Sequence, residues 1–412
     1  MNITITKNLK FPADNPFEVV ERKGIGHPDT VADSLAEKIS VEYSKYCLEK
    51  FGIVLHHNVD KLSIMGGLVD IDWAKGEMIK PIRVLINGRL SASFDYKKIP
   101  IDEIYTRAIT EQLLKCLPGL DTKKWLKIID ESTSSSKNPR WFNPLSLTDV
   151  PDSSEAFAND TSAVVSYWPL TPAERVALEL EGYFYNNEGK PKYKEFGQDI
   201  KVMIVRRENS YDITMCVPFF AKYVSSSQAY WKKLSELESD ITIRAREILG
   251  DKVKINLKIN AHDQRRKNQK SAKTFYFVVA GSALDFGEEG VVGRGNNRLG
   301  IIPSFRPYTM EAAPGKNPVY HVGKVLGVVS DVLAKEVANK FNCRVEVWII
   351  TRNADPLFEP HNIIVNVSGQ VEEKKLKNLV LSVLEKRDWT KKIVYDETII
   401  PRPGNKYLST DK

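Results

Sequence analysis

Cysteine is scarce. The chain of 412 residues has four, Cys47, Cys116, Cys216 and Cys343. They lie far apart with no C-x-x-C pair, which argues against zinc-ribbon and thioredoxin-type chemistry and reads as buried, reduced thiols. No run of about 18 apolar residues suggests a membrane span, and the start, MNITITKNLK, carries no apolar signal region. With 42% hydrophobic and 27% charged residues, the composition suits a cytoplasmic globular protein. The net charge of +7 could favour nucleic acid, and HDQRRKNQK (262–270) is the most basic cluster. It comes with no helix-turn-helix, finger or aromatic-basic motif, so it reads as a solvated loop and nucleic acid is not expected as a partner. A milder reading gives some of the cations an anionic small substrate.

Length points to more than one unit, because single cores stop growing at about 250 to 300 residues; two or three subdomains are expected. From Pro28 to Phe51 the apolar residues Val31, Leu35 and Ile39 recur every fourth position, with proline suited to the first turn and Gly52 to the stop, which predicts a helix. Further helices are expected over 101–119, 227–249 and 319–341, and an amphipathic one around Leu376, Leu379, Val380, Val383 and Leu384. Strands are expected in PIRVLING (81–88), in a hairpin over 199–220, in VKINLKIN, where apolar and polar residues alternate, and in TFYFVVA (274–280). Residues 132–155, rich in Ser, Pro and Asn, read as a long loop or a crossing between subdomains. No residue-level repeat is visible.

The stretch KGIGHPDT (23–30) poses the chemical question. A dinucleotide fingerprint needs a third glycine where Asp29 stands, and an aspartate there would repel pyrophosphate. Neither Gly-Lys pair of GKNPVYHVGK (315–324) is followed by Ser or Thr, so it is no Walker loop. A helix starting at Pro28 instead points free N–H groups outward, where phosphate is favoured. Asp29 could hold a magnesium ion bridging phosphate oxygens, His27 could donate a hydrogen bond, and Asp33 shares the helix face of Asp29. The same residues also suit a bare helix cap with a surface histidine. Arg294, Arg306, Lys316, His321 and Lys324 gather cations among glycines, and Asp199 and Lys201 fall on one side of a strand, where a plain surface ion pair is the alternative. No Ser-His-Asp or Cys-His arrangement stands out. Cations and carboxylates without a general base suit a nucleophile that carries no proton and a highly anionic leaving group.

Six motifs, ERKGIGHPD, HHNVDK, ANDTS, GQDIKVM, GEEGVVGRGN and MEAAPGKNPVYHVGK, stand in the order and spacing of one family. The chain resembles the archaeal-type methionine adenosyltransferases, or S-adenosylmethionine synthetases, over nearly its whole length. The resemblance implies that the methionine sulfur attacks C5′ of ATP, expels triphosphate, and that the triphosphate is then cleaved to pyrophosphate and phosphate. It implies an α+β fold of three similar strand-and-helix subdomains around a pseudo-threefold axis, spanning 14–131, 1–13 with 156–265, and 266–412, with 132–155 as a loop or crossing. It also implies magnesium and potassium as cofactors, ATP and L-methionine as substrates, and a homodimer with shared active sites.

Carried over by resemblance, His27 contacts the leaving oxygen, Asp29 binds magnesium, and Asp199 and Lys201 hold ATP. Arg294 and Lys316 neutralise the triphosphate with help from His321 and Lys324, Asn296 belongs to the substrate site, and Glu77 and Asp160 face the methionine amino group. The chain departs from the family pattern at Ala163, Val164, Glu288, Glu289, Asn297, Leu299, Tyr320, Asn353 and Ala354. Ordinary divergence is one reading of these changes; a different thioether or nucleotide is another. A non-catalytic paralogue should have lost His27, Asp29 or Lys201, and all three remain.

Overall fold

A computed structural model describes residues 1–150, 155–264 and 270–408. Twelve strands form three main sheets: β1 (Asn2–Thr6), β2 (Phe17–Lys23), β3 (Ser63–Met65), β4 (Ile82–Ile86), β5 (Leu126–Asp130), β6 (Ala163–Trp168), β7 (Lys201–Arg207), β8 (Ser210–Cys216), β9 (Lys254–Ile259), β10 (Glu289–Val291), β11 (Val345–Ile350) and β12 (Asn362–Val367). Six longer helices cover them: α1 (Pro28–Phe51), α2 (Ile101–Cys116), α3 (Pro172–Gly182), α4 (Ser227–Leu249), α5 (Val322–Phe341) and α6 (Glu373–Leu384).

The sheets run β5-β4-β3-β10, β9-β8-β7-β2 and β1-β12-β11-β6, with Ile302–Pro303 extending the second beyond β2. Each repeats one pattern of pairing: a parallel pair, then two antiparallel pairs. In the first two, a hairpin is followed by a crossover helix, α2 or α4, that returns the chain to a parallel strand, as a parallel connection requires. In the third, the parallel partner is the N-terminal strand β1. Helix α1 packs on the first sheet with α2 against it, α3 and α4 pack on the second, and α5 packs on the third with α6 against it. The fold is α+β, as expected.

The strand pairings cut across the anticipated subdomain spans. Strand β1 pairs with β12, β6 with β11, β2 with β7 and β10 with β3. Strand β1 therefore shares a sheet with β11 and β12 from the last third of the chain and with β6 from 156–265. The core falls in two parts: Val31, Leu35, Ile39, Ile64, Val84 and Leu113 close the first sheet, while the second and third share a larger cluster through Val176, Ile204, Ile213, Leu326, Val347 and Ile363.

Helix α1 has the expected bounds because both ends are capped. His27 occupies the N-cap, and Gly52 (φ 73°) adopts the left-handed C-cap that an L side chain resists. The expected strand over 274–280 shortens to Phe277–Val278. The amides of Val279 and Ala280 donate to Asp285 Oδ2 at 2.5 and 2.9 Å, which takes them away from any ladder. The 132–155 stretch is a loop with a short α-helix, Pro139–Phe142, and a 3₁₀ turn, Leu147–Asp149; residues 151–154 lie outside the described residues. So does 265–269, most of the basic cluster. Among the described residues no helix is long and apolar enough to cross a membrane.

Candidate active site

Strand β2 ends at Lys23, and the chain turns through Gly24-Ile25-Gly26 into α1. The two glycines serve the protein's own backbone. Their amides donate to Ile200 and Gln198 carbonyls at 2.7 and 2.9 Å, and a Cβ at either would lie 2.6 Å from that backbone. Only glycine permits this approach, and it seats the GHPD turn beside Asp199 and Lys201.

At the start of α1, the Asp29 amide donates to His27 Nδ1 at 3.2 Å. Nδ1 must then carry its lone pair, which puts the proton of the neutral ring on Nε2, free to donate outward. Burial, with the Lys23 and Lys201 ammonium groups nearby, lowers the His27 pKa to about 4, so the ring is neutral near pH 7. The cap and the functional histidine, alternatives in the sequence, are thus compatible. Asp29 is buried; its Oδ2 receives the Lys23 ammonium at 2.9 Å and its Oδ1 the Val291 amide at 3.2 Å.

Loop 293–297 closes over this turn. Asn296 holds the Lys23 backbone from both sides, accepting its amide at 2.9 Å and donating to its carbonyl at 2.6 Å. Lys23 Nζ donates to the Arg294 carbonyl at 2.8 Å, and Asp33 Oδ1 accepts the Gly293 amide at 2.7 Å. Burial pushes the Asp33 carboxyl up to about 7. The Arg294 side chain is exposed.

Asp199 and Lys201 do not pair with each other. Asp199, just ahead of β7, accepts at Oδ2 from Tyr276, Ser282 and the Ala283 amide at 3.1, 3.1 and 2.9 Å, and burial raises its pKa to about 6. Lys201 pairs with Glu21 at 3.0 Å. One turn thus gathers His27, Asp29, Asp199, Lys201, Arg294 and Asn296.

The remaining residues sit elsewhere. His321 caps α5 as His27 caps α1, its Nδ1 accepting the Gly323 amide at 3.2 Å; that cap is why the helix begins at Val322 and not at Val319. Burial, with Lys316 nearby, lowers the His321 pKa to about 3. Lys316 pairs with Asp60 at 3.1 Å beside this second helix start. Asp160 is exposed, in a loop tied to the same place by Asn159, which accepts the Val322 amide at 2.9 Å, and by Ser162, which donates to Glu311 at 2.9 Å. Lys324 corrects the expectation of a phosphate ligand: it is fully buried against Glu37 at 2.6 Å, where burial lowers its pKa and raises that of Glu37. Arg306 is likewise buried, paired with Glu174 at 2.8 Å. Glu77 faces solvent on the hairpin Leu68–Asp72 to Lys75–Lys80, joined by no side-chain bond to either cluster among the described residues.

Helix α1 links the two clusters. Asp29, Asp33 and Glu37 recur every fourth residue on one face; the first two serve the GHPD side, while Glu37 and Ser40 reach Gly315, Lys316 and Lys324. Glu37 continues a spacing visible in the sequence and was missed. Lys23 and Glu21 were missed as well, since nothing local shows where a strand-end side chain reaches.

Among the described residues no three His, Cys, Asp or Glu side chains converge as a metal site. Magnesium commonly uses one or two carboxylates with substrate phosphates. Asp29 suits that role: a hard oxygen donor whose Oδ2 already takes a cation, the Lys23 ammonium.

Fold and site together define a three-sheet α+β protein whose cations gather at two histidine-capped helix starts. The family model described as S-adenosylmethionine synthetase (AdoMet synthetase) matches residues 1–395, and the chain belongs to that family. It is 38% identical over 389 residues to an uncharacterized protein of Streptococcus pyogenes serotype M3, covering 92% of this chain and 93% of that one. It is 33% identical over 392 residues to the S-adenosylmethionine synthase of Picrophilus torridus, covering 94% of each chain. With that of Pyrobaculum neutrophilum it shares 34% over 372 residues, 89% of this chain and 90% of the other.

Proposed function

We propose that the protein is a methionine adenosyltransferase, joining the sulfur of L-methionine to C5′ of ATP. Family membership supports the reaction class. The observation that carries the site assignment is the gathering of neutral His27, Lys201 and the outward Arg294 around one helix start. A thioether sulfur has no proton to lose, so the site needs no general base. It needs to stabilise charge on the leaving triphosphate. As the C5′–S bond forms, the C5′–O bond breaks and its electron pair leaves with the triphosphate; water then divides the triphosphate into pyrophosphate and phosphate.

In this reading His27 Nε2–H donates to the leaving oxygen, and Lys201, released from Glu21, and Arg294 bind phosphate oxygens. Lys316 supplies a second cationic position, and neutral His321 beside it can donate a hydrogen bond from Nε2. Asp29 would hold magnesium, which when bound neutralises phosphate charge. Asp199, its carboxylate set by Tyr276, Ser282 and Ala283, stays a candidate for holding ATP with Lys201, and Asn296 fixes Lys23. Asp160 and Glu77 remain candidates for the methionine amino group, with potassium as a further cofactor.

The cavity beneath loop 293–297, about 100 Å³ and lined in part by Asp33, Asn296 and Met310, is small. Nucleotide-sized ligands occupy roughly 300–1,000 Å³. The apolar residue Val291, whose amide meets Asp29, stands exposed, as do Leu68, Ile79 and Phe286. Both features support a homodimer that completes its sites between two copies, and the shared pairing pattern supports three sheets arranged about a pseudo-threefold axis.

A specific feature favours a second reading, a retuned thioether or nucleotide. Tyr320, one of the departures, meets His56 at 3.1 Å, and the His56 ring lies 5.9 and 6.3 Å from those of Phe142 and Trp141. Incubation with ATP, magnesium, potassium and L-methionine, followed by mass spectrometry and ion chromatography, should yield S-adenosylmethionine with equal pyrophosphate and phosphate. Product from ethionine or GTP but not from methionine and ATP would establish the second reading, and no product from any combination would overturn both.

A further inference from the structure

We infer that Asp33 is a positioning residue for Arg294: it ties down the backbone on both sides of that arginine so that the guanidinium is presented outward before triphosphate arrives. The inference rests on the reading of Arg294 as a triphosphate ligand. Asp33 lies one helical turn beyond Asp29 and is 3% exposed. Its Oδ1 accepts the Gly293 amide at 2.7 Å, and its Oδ2 packs directly against Gly295. Arg294 is the residue between them.

The approach is close enough to favour glycine. A Cβ at position 295 would lie 2.1 Å from Asp33 Oδ2, so a larger residue there would have to push the carboxylate aside. Two more ties complete the clamp: Lys23 Nζ donates to the Arg294 carbonyl at 2.8 Å, and Asn296 exchanges two hydrogen bonds with the Lys23 backbone. Among the described residues the Arg294 side chain has no hydrogen bond or ion pair, although its backbone is held throughout. An arginine on a free loop would lose loop as well as side-chain freedom on binding an anion. A loop already fixed removes the first cost.

A purely structural carboxylate and a positioning one differ in how they couple to Arg294. The test measures binding of inorganic tripolyphosphate by calorimetry to the full chain and to Arg294→Ala, Asp33→Ala and the double variant. Arg294→Ala should weaken binding roughly 10- to 100-fold, the range for hydrogen bonds to charged groups. Asp33→Ala should weaken it severalfold in the native background and less than twofold once Arg294 is absent. Hydrogen exchange should show the Gly293 amide losing protection in Asp33→Ala and keeping it in Arg294→Ala. Equal losses in both backgrounds, or protection retained without Asp33, would overturn the inference. Should Asp33→Ala not fold, Asp33→Asn, which keeps one acceptor oxygen and loses the charge, carries the same cycle. A native protein that binds no tripolyphosphate would count against the functional reading, and the exchange comparison would still decide whether Asp33 holds the loop.

Discussion

His27 shows how one side chain serves fold and chemistry together. Its Nδ1 closes the first turn of α1 and thereby fixes the tautomer that presents Nε2–H to the site. Both tasks need the neutral ring. Because its folded pKa of about 4 lies below the ordinary 6.5, the unfolded chain binds more protons between those values. The stability it contributes is therefore full above about pH 6.5 and is lost as pH falls toward 4. Histidine resonances followed by NMR should show His27 and His321 unprotonated down to about pH 5, and a midpoint for His27 near 6.5 would refute the cap. In His27→Ala, turnover should fall by about 100-fold or more with the fold retained, the scale of losing one donor to a developing anion. Near-native turnover in the folded variant would remove His27 from the mechanism. Asp33 has the opposite sign: its pKa is raised to about 7, so its contribution to stability declines as pH rises from about 4 to 7.

At the scale of elements, α1 is the axle of the site. Its carboxylates hold the GRGN loop near its start and the GKNP loop two turns on, and the link to α5 is the buried pair Glu37–Lys324. Removing one partner of such a pair strands a charge in the core. Lys324→Met should destabilise by about 3–5 kcal/mol, and adding Glu37→Gln should recover part of that loss. Denaturant unfolding of the single and double variants checks this, and a Lys324→Met protein of native stability would show that the pair is not load-sharing between the helices. Helices α1 and α4 were legible in the sequence because their caps and breakers are local: Pro28 and Gly52 bound the first, Ser226 and Gly250 the second. The strand over 274–280 came out shorter because the Asp285 carboxylate takes the Val279 and Ala280 amides, a side-chain capture that hydrophobic patterning does not encode. Lys324 looked like a phosphate ligand because burial is a tertiary property that a Gly-Lys motif does not reveal.

At the scale of the whole molecule, three sheets with one pairing pattern explain why strands and helices alternate along the chain without a residue-level repeat: the shared feature is connectivity. Long-range pairings such as β1 against β12 run between the spans assigned to subdomains, and no periodicity encodes them. The chemistry was more legible than the architecture, since the GHPD, DIKVM and GRGN motifs meet at one turn. The central claim is that this turn stabilises a triphosphate leaving from carbon. It is tested most directly with ATP carrying oxygen-18 in the C5′–O–P bridge and L-methionine, tracing the label by mass spectrometry. The account predicts all of the label in the phosphate and pyrophosphate products and none in the nucleoside product; label that stays with the nucleoside would show cleavage at phosphorus and contradict it.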